Sequence, residues 1–148
     1  MADITIREAR TSDGVALAEL CTQLGYPTEP AAVPSRLDRL AADGNARVLV
    51  AQYGDSIVGL TTIHLRYTMN HHAPIAQLTL LVVDETHRTL GAGRALVRAA
   101  ETWARERGSE RLVVTTALHR DVAHAFYERL GYVHTGRRYA RDFPPGGQ

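Results

Sequence analysis

Ile4 and Ile6 alternate with Thr5 and Arg7, the period of a short half-buried strand. Ser12 or Asp13 is placed to cap a following helix, in which Leu17, Leu20, Cys21 and Leu24 share one face and Gly25 ends it. A second helix begins near Pro34, a residue tolerated in a first helical turn, and buries Leu37 and Leu40. Residues 47–53 and 57–65 read as two strands joined by Gly54-Asp55, a hairpin signal. Asn70, His71, His72 and Pro74 mark a loop. The stretch from Ile75 to Val83 is the most apolar in the chain, and its ending Leu80-Leu81-Val82-Val83 predicts a central strand buried on both faces.

After a glycine-containing loop, Leu96, Val97, Ala100, Trp103 and Ala104 recur at helical spacing up to Gly108. Residues 112–116 read as a further strand. Val122, Ala125, Phe126 and Leu130 mark a helix stopped by Gly131, and residues 132–139 read as a last strand. The order strand, two helices, three strands, helix, strand, helix, strand predicts an α/β domain built on a mixed sheet. With 148 residues the chain has the size of one domain, 1–148, closed by a frayed tail at 142–148.

Composition narrows the picture by exclusion. A formal net charge of +1 gives no overall field toward nucleic acid or a membrane, and no run is apolar enough to span a bilayer. Arg137, Arg138 and Arg141 gather near the end, where a solvated tail accounts for them as well as a phosphate site does. The single cysteine, Cys21, rules out an intrachain disulfide and suits the core of the first helix. With no signal-peptide pattern at the start, a cytoplasmic protein is expected. The seven histidines show no ligand-like spacing, so no metal site is predicted.

The chemistry concentrates in Val83-Asp84-Glu85-Thr86-His87-Arg88-Thr89-Leu90-Gly91-Ala92-Gly93-Arg94, which joins the apolar strand to the long helix. Glycines at a helix start let the backbone approach a ligand, and the first turn carries unpaired N–H groups and partial positive charge. Such a loop suits a diphosphate, with Arg88 and Arg94 adding charge. On the two glycines alone a tight strand-to-helix turn is the favoured reading. A dinucleotide fingerprint fails because Leu96 stands where the third glycine belongs, and no Gly-Lys-Ser or Gly-Lys-Thr of a P-loop occurs.

The spacing Arg88-x-x-Gly91-x-Gly93, five residues after Val83, resembles the Gln/Arg-x-x-Gly-x-Gly/Ala motif of the GNAT superfamily of N-acetyltransferases. Downstream, Ala123-His124-Ala125-Phe126-Tyr127-Glu128-Arg129-Leu130-Gly131-Tyr132 resembles that family's Ala-x-x-Phe-Tyr-x-x-x-Gly-Phe/Tyr segment. The resemblance implies a GNAT-like fold using acetyl-CoA as co-substrate. The amides of Arg88, Thr89, Leu90, Gly91, Ala92, Gly93 and Arg94 would hold the CoA diphosphate, and Leu81, Val82 and Val83 would pair with the pantetheine arm. It further implies that Tyr127 returns a proton to the sulfur, and that a backbone N–H near Val83 steadies the oxyanion. A homodimer is compatible with it.

Two positions depart from the family pattern. Gln77 stands eleven residues before Arg88, where the lysine-acetylating branch carries a glutamate, and an amide accepts no proton at neutral pH. His119, His71 and His72 are the alternative bases, imidazole having an ordinary pKa of about 6.5. Arg120 replaces an asparagine that contacts the CoA arm in many relatives. The expected activity is N-acetylation of a small-molecule amine by direct attack in a ternary complex. The acceptor would enter between residues 17–40 and the loop at 68–74. A protein lysine or N-terminal amine is the alternative acceptor, and a catalytically silent CoA-binding sensor is the alternative class.

Overall fold

The computed structural model describes residues 3–115, 121–136 and 138–145, and the chain divides into two compact units, Met1–Val114 and Thr115–Gln148. In the first unit, strands β1 (Ile4–Glu8), β2 (Ala46–Tyr53), β3 (Ser56–Arg66), β4 (Ile75–Val83) and β5 (Leu112–Val114) form one sheet in that spatial order. The first four run antiparallel to their neighbours, and β5 joins β4 in parallel. Helices α1 (Gly14–Leu24) and α2 (Val33–Ala42) lie between β1 and β2 in the chain, and α3 (Ala92–Glu106) lies between β4 and β5.

The two faces of the sheet carry different helices. Leu17, Ala18 and Leu20 of α1 and Val33 of α2 pack with Val50, Leu60 and Val82. The opposite face receives α3, whose buried Ala92, Leu96, Val97, Ala100, Trp103 and Ala104 follow the spacing expected of one apolar helical stripe. Gly59 makes that approach possible: a Cβ there would stand 2.9 Å from Cδ1 of the fully buried Leu96 and 3.4 Å from the Val82 carbonyl oxygen. Gly59→Ala is therefore expected to destabilise the protein by about 1–3 kcal/mol through overpacking, read as a lower urea midpoint with an unchanged slope.

Several expectations need correction. Asp13 does precede α1, but its side chain makes no cap. Its oxygens are taken by both terminal nitrogens of Arg7, each at 2.9 Å, and by the Arg10 amide at 2.8 Å. Leu37 and Leu40 are half-buried rather than buried, and Ala125 is exposed. Strand β4 is not covered on both faces: Ala76, Leu78 and Val82 are buried, whereas Thr79 is exposed and the others are intermediate. The exposed residue falls at a bulge. Thr62 pairs with Leu80 and Ile63 with Leu78, so Thr79 is an extra residue without a cross-strand partner.

In the second unit, α4 (Asp121–Arg129) ends at Gly131, whose φ of 93° is left-handed. The described residues of 132–139 form no strand, and Val133 and Tyr139 are exposed. Alternation gives a strand only where another strand pairs with it. Thr116 and Val122's side chain lie outside what is described, as do residues 146–148 of the expected tail. Among the described residues no helix is long and apolar enough to cross a membrane.

Candidate active site

The pairing of β4 changes along its length. Ala76, Gln77 and Leu78 match Leu112, Val113 and Val114 of β5, but among the described residues 80–83 pair with β3 alone. Among the described residues, half of β4 thus has an open edge just beyond the bulge. The Asp84 amide donates to Val58 of β3 at 2.8 Å, and antiparallel alternation then turns the backbone groups of Leu81 and Val83 toward the open edge. Val82 differs from its two neighbours. Its backbone faces β3 and its side chain is in the core beneath α1, so it offers nothing to a ligand at the edge.

The open edge leads into the loop. A short 3₁₀ turn, Glu85–His87, is followed by Arg88, Thr89 and Leu90, all exposed, and by Gly91 at φ 80° as the N-cap of α3. The first helical bond of α3 runs from the Ala95 amide to Gly91 O at 3.1 Å, so the amides of Ala92, Gly93 and Arg94 have no intrahelical acceptor. No side chain caps this end and no acidic residue lies in the first turn. Arg88 Nε reaches the Val83 carbonyl at 3.5 Å, and Arg94 is exposed beside the helix start. Uncapped N–H groups, helix-dipole charge and two arginines make an anion cradle.

The shape of this loop is set by a side chain from α1. Asp84 Oδ1 accepts from Gln23 Nε2 at 2.7 Å, and Oδ2 meets Thr86 Oγ1 at 2.5 Å and His87 Nδ1 at 2.6 Å. Gln23 Oε1 in turn accepts the Glu85 amide at 3.1 Å, so one side chain of α1 grips the loop twice. Asp84 followed by Thr86 is an Asx-turn pattern readable in sequence, but the partner 61 residues away is not. The Gln23 amide first, then Thr86 and His87, hold the Asp84 carboxyl well below the usual carboxylate range. Its folded pKa lies below the unfolded one. The resulting stabilisation is therefore full above the ordinary carboxylate range and is lost as pH falls below about 4 toward the folded value. Asp84→Asn is expected to flatten the acid limb of the stability–pH curve, measured by urea unfolding at several pH values, while Asp13, lowered by Arg7, keeps its own share.

In the second unit the matched motif is an aromatic cluster. Tyr127 is buried, with its ring edge-on to Phe126 at 5.2 Å and to Tyr132 at 5.8 Å. The Tyr132 amide donates to Tyr127 O at 3.0 Å, so the Gly131 turn folds the chain back onto the helix end. Of the bases considered, His71 lies in the exposed β3–β4 loop with Nδ1 3.1 Å from Thr68 Oγ1, and His72 is exposed beside it. His119 and Arg120 lie outside the described residues. Cys21 is half-buried against the α1 core, and burial raises its thiol pKa, as expected for a packing residue rather than a nucleophile. Among the described residues no three His, Cys, Asp or Glu side chains gather as a metal site requires.

An open strand edge runs into an uncapped, glycine-led helix start, an arrangement able to take an extended ligand with an anionic end. The chain belongs to the acetyltransferase (GNAT) family, whose sequence profile matches residues 14–132. It is an acetyltransferase enzyme on a mixed five-stranded sheet. It is 28% identical over 133 residues to the uncharacterized N-acetyltransferase YhfO of Bacillus subtilis, covering 87% of this chain and 89% of that one. It is also 28% identical over 137 residues to the aminoglycoside N(6')-acetyltransferase type 1 of Stenotrophomonas maltophilia, covering 90% and 88%. A transcriptional regulator from Bacillus halodurans shares the fold with a TM-score of 0.86 at 26% identity, covering 95% of this chain and 99% of that one.

Proposed function

We propose that this enzyme transfers the acetyl group of acetyl-CoA to a primary amine of a small molecule, by direct attack in a ternary complex. The observation that carries the reading is the continuity of the open β4 edge with the uncapped start of α3. The amides of Ala92, Gly93 and Arg94, with Arg88 and Arg94, fit the diphosphate, and the outward backbone groups of Leu81 and Val83 fit the amides of the pantetheine arm. Bound there, acetyl-CoA supplies an activated thioester. An outward N–H of the same edge is placed to donate to the oxyanion. Tyr127, by its position in the motif, is the acid that protonates the departing sulfur. Attack of an amine on a thioester along this route calls for no metal. The aminoglycoside-acetylating relative supports a small amine as acceptor.

Calorimetry with acetyl-CoA, followed by a coupled thiol-release assay over a panel of amines that includes tobramycin, tests this reading. The expected result is saturable binding and release of CoA thiol with a small amine. Binding without release from any amine would leave a sensor and refute the enzymatic reading, and absence of binding would refute the site.

A further inference from the structure

A polar cluster interrupts the sheet where β4 loses its second partner. His64 Nδ1 lies 3.1 Å from Oγ1 of Thr79, the bulge residue. Thr62 Oγ1 stands 2.6 Å from the same hydroxyl, and Thr79 Oγ1 lies 3.3 Å from the Thr62 carbonyl oxygen. Thr62 and His64 alternate with the buried Ile63 and Leu65, so they share the face on which Leu60 packs under α1. They lie beyond that cover, half-exposed, close to the β3–β4 loop. Directly across from His64 stands Gln77, which cannot take a proton.

We infer that His64 is the base that accepts the amine's proton, an assignment that rests on the acetyl-CoA reading of the β4 edge. An extended arm running from the α3 start back along Val83 to Thr79 passes four residues, about 13 Å at a strand's rise, which brings the acyl end of a pantetheine arm to the bulge. Among the described residues of this unit, His64 is the imidazole at that point. His87 is engaged by Asp84, and His71 and His72 sit in the exposed loop.

One arrangement of the hydroxyl protons gives the tautomer the role needs. Thr79 has one hydroxyl proton. When it goes to the Thr62 carbonyl, Oγ1 accepts from Thr62 Oγ1–H and from His64 Nδ1–H, leaving Nε2 with its lone pair. The ammonium form of the acceptor gives one proton to Nε2, which passes it to water. The neutral nitrogen then forms the C–N bond to the acetyl carbon as the C–S bond breaks. The sulfur leaves with the bonding pair and takes its proton from the Tyr127 phenol, and the second proton lost by nitrogen restores that phenol.

His64 takes the first proton, which only an amine that arrives protonated carries; an amine that arrives neutral does not need that step. The test compares native protein with His64→Gln on two acceptors at neutral pH: tobramycin, whose alkylamines are protonated, and hydroxylamine, which is already neutral. With tobramycin, kcat of the variant is expected to fall about a hundredfold. With hydroxylamine it is expected to stay within about twofold, and KM for acetyl-CoA to be unchanged on both. Thr79→Val, which removes only the hydroxyl that orients the ring, is expected to give the same split with a smaller loss. Equal losses on both acceptors, or none on tobramycin, would overturn the role of His64 while leaving the acetyltransfer reading standing. Native protein that binds acetyl-CoA and releases CoA thiol with no amine of the panel would overturn both.

Discussion

Gly91→Trp is expected to weaken acetyl-CoA binding by at least a hundredfold while the protein still folds. The two halves of that result have separate causes. Gly91 sits at φ 80°, where a side chain costs roughly 1–2 kcal/mol, a minor part of the ~5–15 kcal/mol that holds a domain folded. A Cβ there meets nothing within 4 Å, so a side chain starts from this position into open space. An indole fills the space in front of the Ala92, Gly93 and Arg94 amides, which a diphosphate must reach to be bound. Gly91→Ala separates the effects, since it carries the strain without the bulk and is expected to lose less than tenfold. Calorimetry on both variants, with circular dichroism to confirm folding, reads the difference. If Gly91→Trp bound acetyl-CoA like the native protein, the diphosphate would not lie at this helix start.

The parts of this site that are legible in sequence are those set by local rules. Six buried positions at helical spacing make α3 readable, and Gly91 and Gly93 mark its start. Ile75–Val83 has the same ends in sequence and in structure, because a run so apolar has few alternatives. What escapes is set by long-range register. The Thr79 bulge shifts every residue after it by one place relative to β3, and a shift of one exchanges the faces. Without it, neither the exposure of Thr79 nor its meeting with His64, 15 residues earlier in the chain, can be derived. Asp13 shows the same limit. Its place before a helix favours a cap, and only the fold reveals that Arg7 claims the carboxylate from the neighbouring strand. Gln23 carries no local signal beyond helix propensity, yet it ties α1 to the loop before α3.

Tyr127→Phe is expected to lower kcat by about a hundredfold or more and to leave the affinity for acetyl-CoA unchanged. The substitution removes one oxygen and keeps the ring, so the edge-on contacts to Phe126 and Tyr132 persist. Loss of packing therefore cannot produce the effect. Loss of a proton donor can, because a thiolate expelled without protonation is the poorer leaving group in the collapse toward amide. The prediction separates Tyr127 from His64 by the acceptor used. The His64 step is dispensable when the amine is already neutral, but the sulfur must be protonated whatever attacks, so Tyr127→Phe should slow tobramycin and hydroxylamine alike. A loss confined to tobramycin would place the tyrosine on the acceptor side of the reaction, and an unchanged kcat would reduce it to a packing residue. The double variant, with His64→Gln, completes the argument: on hydroxylamine it should be no slower than Tyr127→Phe alone, because only one of the two proton transfers remains to be lost.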